Sequence, residues 1–522
     1  MHRGFFQRLG WIFWGFIGIL WEIIAGILDI PLGSLTHSAL EKRATVAKTY
    51  SEWIVIARQL DELEGFQEWR LRDEPRYMNV EGLVGRIQLL ADVKKRGDSA
   101  TLLSVLSTGL QRSVYGIMNP NLYVYRSGTK AVIEAYNSLL VFLIRSLAHD
   151  TSLSPRKKYD TLVEVSRVYG STALVFNGGI VFGPFHMGVA KALWKADLLP
   201  RFFYGERTGA VVAALLCCKK DLTDVFDVNV IDFCAFEGKS IGSFGRRWRR
   251  FWKQSHFMDI DILVHFMKSN IGELTFLEAY QLTGRVLNIE YTPEGGDVSG
   301  TIAPPLRLLN YLTAPNVLVY SAAAASFGSV PLIFQRYPLM AKDLNGEIIQ
   351  YDPPVMGAVG SRPDGKIDGI KRMRELFHIR CFIISECSAT RLPFLRLVDR
   401  TSFLARLGHA ISEEWWRFAS YVVSFTPLQK FVWVFFSNDN LDLDDVIRLF
   451  PASSWSDIFG IFYPITIRIV QQYILRGERR VWPSLERIRE HVAAELALYD
   501  VLNELSQMDK SISLENENPY SW

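Results

Sequence analysis

The segment 173–209, ALVFNGGIVFGPFHMGVAKALWKADLLPRFFYGERTG, constrains the fold of this chain more than any other. An apolar run leads into a glycine loop, defined here as residues 178–183, and a helical pattern follows. A second apolar run then ends in the tight turn 205–209. Glycines between a strand and a helix let backbone N–H groups turn toward an anion at the helix N-terminus. The glycines of the loop are Gly178, Gly179 and Gly183.

The turn has the glycine spacing of a nucleophile elbow, in which a strained apex residue lies between a strand and a helix. Gly205 and Gly209 relieve the crowding on either side of the apex, and Ala210 allows close helix packing. The apex residue is Arg207 instead of a serine. Its guanidinium has no acceptor and stays protonated, so it cannot attack a carbonyl carbon. Thr208 carries a hydroxyl one position past the apex, where we expect it to point into the helix.

Composition limits the classes of protein to consider. The chain has 522 residues, 49% of them hydrophobic and 13% aromatic, which fits two to four domains with an ample core. The net charge of +3 does not indicate a nucleic-acid partner. The five cysteines are an odd number without a C-x-x-C pair, so neither a disulfide framework nor a zinc site is expected. We predict no metal and no cofactor.

The N-terminus carries an apolar, tryptophan-rich segment, Trp11–Leu28, interrupted only by Glu22. It is just long enough to span a bilayer, which takes about 20 apolar residues. No small-residue cleavage site follows, so a signal peptide is disfavoured. A transmembrane helix and a monotopic segment with interfacial tryptophans both remain open. The tryptophans of this membrane segment are Trp11, Trp14 and Trp21.

A second candidate membrane contact is the segment Arg246–Lys253, which interleaves cations with aromatic rings. Such a segment suits an anionic lipid surface, and a solvated helix face is the alternative. Its key residues are Arg246, Trp248 and Arg250.

Hydrophobic periodicity divides the chain into a membrane segment (1–35), a helical region (36–165), an α/β region (166–395) and a mostly helical region (396–522). Helical spacing covers Ser51–Leu63, Val80–Lys95, Ser99–Gln111 and Thr129–His149. Apolar runs of strand type are Ala173–Phe176, Arg201–Tyr204, Val317–Ser321 and Cys381–Ser385. Their alternation with helical runs predicts a mainly parallel sheet between helices.

Taken together, these motifs resemble the patatin-like phospholipases, and within them the triacylglycerol lipase branch found on lipid droplets. The resemblance covers roughly residues 45–500. It rests on the loop NGGIVFGPFH, on the G-x-x-x-G turn and on later segments. These later segments are Gly272–Glu290, Leu308–Phe327, Leu339–Asp343 and Gly477–Leu498.

The resemblance implies a patatin-type three-layer α/β/α sandwich with flanking helical N- and C-terminal regions. It implies hydrolysis of acyl esters of neutral lipids or phospholipids at an endoplasmic-reticulum or lipid-droplet surface. The catalytic-type domain would face the cytosol. The family uses a Ser–Asp dyad, and its serine position corresponds to Arg207.

The aspartate of the dyad lies in a D-G motif in this family. Asp364 is the best local match and Asp368 is a second candidate. In the family the pair lies further from the equivalent of Glu375 and is followed by D-L-P, so a short deletion is one explanation. A surface turn rich in Asp and Gly explains either pair equally well.

Two other motifs could support chemistry away from the turn. Ser240 lies in a literal G-x-S-x-G, but no apolar strand precedes it and no small-residue helix follows. His256 and Asp261 form an H-x4-D, the spacing linked to glycerolipid acyltransferases, in which the histidine deprotonates a hydroxyl. This spacing is frequent by chance, and a histidine near a helix start is the alternative.

Three hypotheses follow. The first is a family member in lipid metabolism or lipid degradation that has lost Ser–Asp hydrolase activity and acts by binding a lipid or an active homologue. The alternative is an active acyl-ester hydrolase or acyltransferase that uses other residues. The third is a membrane-anchored interaction protein that binds no lipid, and this one does not explain the glycine loop.

Overall fold

The computed structural model describes residues 35–178, 183–231, 249, 253, 256, 259–291, 307–329, 335–351, 369–387, 446–451 and 466–508. The chain divides into two compact units, Met1–Trp69 and Arg70–Trp522. Within the first unit lie helices α1 (Leu35–Val46) and α2 (Tyr50–Leu63), and α3 (Phe66–Leu71) follows. The hydroxyl of Thr49 accepts a hydrogen bond from the backbone N–H of Glu52, which caps α2.

Among the described residues of the second unit, four longer helices precede the sheet, and the first three confirm the helical spacing predicted for this region. Asn79 and Asp98 cap the first two by accepting backbone N–H groups. Gly97 separates these two helices in a left-handed conformation with φ 64°. The four helices are α4 (Val80–Arg96), α5 (Ser99–Gly109), α6 (Ala131–His149) and α7 (Pro155–Tyr169).

The core of the second unit is a six-stranded sheet with strand order β4-β3-β2-β1-β7-β8. All neighbouring strands are parallel except β4, which pairs antiparallel with β3. The sheet is therefore mainly parallel, as the alternation of runs predicts. The strands are β1 (Ser171–Gly178), β2 (Phe202–Gly205), β3 (Val286–Tyr291), β4 (Arg307–Leu309), β7 (Ile379–Cys387) and β8 (Val446–Leu449).

Helices lie between and after these strands. A short hairpin, β5 (Met340–Lys342) and β6 (Ile348–Gln350), forms a separate two-stranded sheet. The helices are α8 (Gly183–Lys195), α9 (Thr208–Cys218), α10 (Thr223–Phe226), α11 (Ile260–Ile271), α12 (Phe276–Thr283), α13 (Val319–Ala325), α14 (Gly369–Phe377), α15 (Ile467–Val481) and α16 (Leu485–Met508).

Aromatic contacts show that helices cover both faces of the sheet. Phe176 on β1 lies 5.3 Å from the ring of His186 on α8 and 6.4 Å from Phe203 on β2, measured between centroids. Phe202, which precedes Phe203 on β2, points to the opposite face of the sheet, and its ring centroid lies 5.4 Å from that of Phe377 on α14. Side chains alternate along a strand, so α8 and α14 pack on opposite faces. The chain therefore switches faces between β1 and β7, where open α/β sheets form binding crevices.

One strand prediction was wrong. The run Val317–Ser321 does not form a strand: Val317 and Leu318 make only isolated bridges, and α13 begins at Val319. The four alanines 322–325 that follow favour a helix and override the short β-like run. The region 396–522, predicted to be mostly helical, contributes strand β8 as well as α15 and α16.

Among the described residues, one helix is long and apolar enough to cross a membrane, namely α6. Within its apolar window 44% is buried inside the molecule, and core helices of soluble proteins pass the same test. The evidence that it provides for a membrane segment is therefore weak. The predicted segment Trp11–Leu28 lies outside the described residues.

Candidate functional site

The turn between β2 and α9 has the backbone of an elbow. Arg207 at its apex has φ 55° and ψ −117°, a conformation that only glycine adopts without strain. Such a residue costs on the order of 1–3 kcal/mol and persists only where its surroundings impose it. The Arg207 carbonyl accepts from the N–H of Ala210 at 3.0 Å, and the Glu206 N–H donates to the carbonyl of Phe176 at 3.3 Å. These bonds fix the apex against the end of β1.

The two glycines that flank the apex are required by close backbone approach. A Cβ on Gly205 would lie 2.5 Å from the Cα of Ala210. A Cβ on Gly209 would lie 2.2 Å from the carbonyl oxygen of Phe176. Both distances are shorter than a carbon–carbon or carbon–oxygen contact allows, so only glycine fits. The sequence pattern therefore corresponds to a real steric constraint.

The side chain at the apex is nearly buried and paired. The guanidinium of Arg207 forms an ion pair with the carboxylate of the adjacent Glu206, and their side chains are 12% and 10% exposed. The pair places one positive and one negative charge at the turn, so the local charges balance. Neither side chain carries a hydroxyl, and the guanidinium at the apex has only donors.

The glycine loop starts and ends beside this turn. Gly178 ends β1 with φ 76°, and Gly183 begins α8. A Cβ on Gly183 would lie 2.4 Å from the methyl carbon of Thr208, the first residue of α9. The N-terminal ends of α8 and α9 therefore meet, and the positive ends of the two helix dipoles favour negative charge there. Gly179 lies outside the described residues.

A buried histidine and serine, which sequence reasoning missed, lie next to the loop. Nδ1 of His186 in the first turn of α8 is 2.7 Å from Oγ of Ser385 on β7, and both residues are fully buried. Burial lowers the pKa of His186 to about 4, so the imidazole is neutral at physiological pH. Burial also raises the pKa of the neighbouring Cys387 thiol well above its usual range.

This pair ties α8 to β7 across the sheet. A substrate has no path to Ser385 in the packing described, because serine and histidine are both at zero exposure. In the sequence, Ser385 is marked only by the polar S-E-C that ends an apolar run. This pattern does not identify His186 as the partner of Ser385.

The two candidate acids, Asp364 and Asp368, lie outside the described residues. The residue after Asp368 is Gly369, which begins α14. A Cβ on Gly369 would lie 2.9 Å from Oε2 of Glu290 and 3.1 Å from the hydroxyl oxygen of Tyr204. Tyr204 donates a hydrogen bond to Glu290. The start of α14 is therefore fixed near the carboxyl ends of β2 and β3.

The H-x4-D motif lies at the start of α11, and the residue that caps this helix is Asp259, between the two motif residues. The carboxylate of Asp259 accepts from the backbone N–H of Asp261 at 3.3 Å and caps α11, and Asp261 is exposed. His256 is half-buried. Its use as a base stays a prediction. Ser240 and the membrane-contact residues lie outside the described residues, and these are Arg246, Trp248, Arg250, Trp11, Trp14 and Trp21.

Within the part of the chain that the structure describes, no group of three His, Cys, Asp or Glu side chains is arranged to hold a metal ion.

A mainly parallel sheet whose first strand ends in a glycine loop and whose second ends in a strained elbow defines the class of α/β acyl-hydrolase scaffolds. Within that class the chain carries a patatin-like phospholipase domain. Residues 174–369 match the patatin-like phospholipase model, and residues 35–167 match a domain of unknown function, DUF3336.

Similar proteins include fungal triacylglycerol lipases. Triacylglycerol lipase ptl1 of Schizosaccharomyces pombe is 29% identical over 86% of this chain and 82% of its own length. Triacylglycerol lipase 5 of Saccharomyces cerevisiae is 28% identical over 89% of this chain and 65% of its own length. Triacylglycerol lipase ptl3 of S. pombe is 27% identical over 92% of this chain and 100% of its own length.

Among solved structures, the type III effector protein ExoU is matched over 67% of this chain and 66% of its own, with 12% sequence identity. The TM-score is 0.23, which does not establish a shared fold.

Proposed function

We propose that this chain is a patatin-like family member that binds acyl lipids in lipid metabolism but does not hydrolyse them through a Ser–Asp dyad. The observation that carries this proposal is Arg207 at the strained apex of the elbow. The apex keeps the backbone that presents a nucleophile, while its side chain cannot serve as one. Removing the nucleophile of such a unit lowers the rate by about a million-fold.

The surroundings of the apex support retained ligand binding. The glycines that allow the elbow and the loop are present, with contacts too close for any other residue. Two helix N-termini meet at this place, and their positive dipole ends suit the carbonyl oxygen of an ester or the oxygens of a carboxylate. The guanidinium of Arg207 adds N–H donors that suit the same oxygens. One of its nitrogens already pairs with the carboxylate of Glu206.

The relatives named triacylglycerol lipases make neutral lipids the first ligand class to test, and phospholipids the second. A remaining dyad acid would be Asp364 or Asp368. The position of Gly369 beside Tyr204 favours Asp368, because this aspartate directly precedes a residue fixed near the end of β2.

The proposed arrangement is a three-layer α/β/α sandwich (166–395) between helical regions (36–165 and 396–522), with an N-terminal membrane segment (1–35). Trp11–Leu28 and the Arg246–Lys253 segment would hold it to the endoplasmic reticulum or a lipid droplet, with the sandwich on the cytosolic side. The protein partner that we propose is an active homologue at the same surface, to which this chain would bind without hydrolysing lipid itself.

The proposal is tested with the purified full-length protein and a photoactivatable triacylglycerol in an emulsion. We expect crosslinking to the wild-type protein and no release of fatty acid above the blank. Gly183→Val should abolish crosslinking, because its side chain would collide with Thr208 where the loop meets α9. Gly85→Val is the matched control, since nothing lies within 4 Å of a Cβ there. Equal crosslinking in both variants, or fatty-acid release by the wild type, would refute it.

A further inference from the structure

The last two helices form a continuous strap, defined here as residues 467–508, that contacts several distant parts of the second unit. It consists of α15, a short 3-10 turn at Trp482–Ser484 and α16. Three of the places that it contacts matter here: the helix after the glycine loop, the strand before the loop, and the helices that precede the sheet.

Helix α15 packs on α8 at backbone distance. A Cβ on Gly188 of α8 would lie 2.0 Å from the carbonyl oxygen of Ile474, and one on Gly477 of α15 would lie 2.3 Å from the carbonyl oxygen of Phe185. Two glycines facing each other thus let the helices touch. The carboxylate of Glu478, nearly buried, then pairs with two lysines of α8. These are Lys191 at 3.3 Å and Lys195 at 3.2 Å.

Helix α16 completes the core of the helical region that precedes the sheet. Its buried side chains share one hydrophobic cluster with those of α4 to α7, and they are Ala494, Ala497, Leu498, Val501 and Leu505. The amide of Asn137 on α6 donates to the side chain of Glu490 at 2.5 Å and to its backbone carbonyl at 3.2 Å. Without α16, this face of α6 and α7 would be an exposed apolar surface.

The same helix also holds the start of β1. The carboxylate of Glu495 accepts from the backbone N–H of Thr172 at 2.8 Å and from Arg112 at 2.7 Å. Arg112 donates in addition to the carbonyls of Gly170 at 2.8 Å and His491 at 3.1 Å. Arg112 and Glu495 therefore connect the helical region, the strap and the strand that leads to the glycine loop.

We propose that the α6–α7 surface, within the region matched by the domain of unknown function, is the docking surface for the strap, and that this docking holds both flanks of the glycine loop in place. The region matched by the domain of unknown function would then hold the strap in position. The strap in turn contacts β1 through Glu495 and α8 through Gly477. This docking concerns the proposed ligand site, but its test reads backbone exchange and does not depend on lipid binding.

The test is hydrogen–deuterium exchange of the full-length protein at pH 8, with Asn137→Asp as the main variant. The new carboxylate faces that of Glu490 and repels it, which loosens α6 from α16 far from the loop. We expect the amides of β1 and α8 to exchange at least about tenfold faster, the effect of losing a single hydrogen-bonded contact. Should this variant fail to fold, Asn137→Ala removes the same bond without adding charge.

Two further variants define the outcomes. Gly477→Ala pushes α15 away from Phe185, so α8 should exchange faster while α6 stays at the wild-type rate. Arg145→Ala removes an exposed ion pair between the same two helices, α6 and α16, and should change nothing. Faster exchange confined to α6 and α16 in Asn137→Asp, with β1 and α8 at wild-type rates, would overturn the proposal.

Discussion

The carboxyl of Glu490 makes the stability of the second unit depend on pH near neutrality. It lies at the contact between α16 and α6, where Asn137 donates to it. Burial raises its pKa from 4.5 to about 7, with further increases from the nearby Glu134 and Glu486. Asn137 and Arg489 act in the opposite direction but are outweighed. Half of the molecules therefore carry a protonated Glu490 near pH 7.

The size and the sign of the effect follow from this pKa. Each pKa unit corresponds to about 1.4 kcal/mol, so ionising Glu490 costs the folded state roughly 3–4 kcal/mol relative to the unfolded chain. Below pH 4.5 the carboxyl is protonated in both states and the cost is absent. As pH rises from 4.5 through 7, the cost appears and stability falls. Above this window the cost is constant.

Glu490→Gln should remove this dependence, because a glutamine oxygen still accepts from Asn137 but does not ionise. We expect the variant to match the wild type below about pH 4 and to be more stable at pH 8 by about 3 kcal/mol. Melting temperatures of both proteins at a series of pH values measure the difference. Glu504→Gln on the same helix, at a 38% exposed site, is the control. A constant difference across the series would refute the reasoning.

Two further predictions concern packing. Gly209→Ala places a Cβ 2.2 Å from the carbonyl of Phe176 and should destabilise the second unit by about 1–3 kcal/mol, measured by thermal unfolding; an unchanged melting temperature would contradict the elbow geometry. Arg112→Met removes the buried cation that pairs with Glu495 and should lower the free energy of unfolding by about 3–5 kcal/mol. Arg145→Ala breaks an exposed ion pair and should lower it by less than about 1 kcal/mol. Equal losses for the two variants in urea titrations would contradict this difference between the buried and the exposed pair.

The elements that the sequence predicts correctly are those set by local pattern. Helices α4 to α6 follow the apolar spacing, and β1 and β2 follow the two apolar runs. The G-x-x-x-G spacing predicts the elbow because crowding within five residues decides its backbone. The apex conformation of Arg207 agrees with that pattern.

Long-range pairings leave no such signal. His186 and Ser385 are 199 positions apart, and Arg112 and Glu495 are 383 apart. The residues next to each of these side chains in the sequence do not indicate its partner. The partners come together only when the whole fold buries them side by side. The antiparallel edge strand β4, with only three residues, is also too short for periodicity to show.

Hydrolysis of radiolabelled triacylglycerol tests most directly whether Arg207 silences the elbow, with the purified wild-type protein, Arg207→Ser and Arg207→Ala assayed side by side. We predict that the wild type and Arg207→Ala stay at the blank and that Arg207→Ser releases fatty acid. Release by the wild type at a rate that neither substitution changes would contradict it.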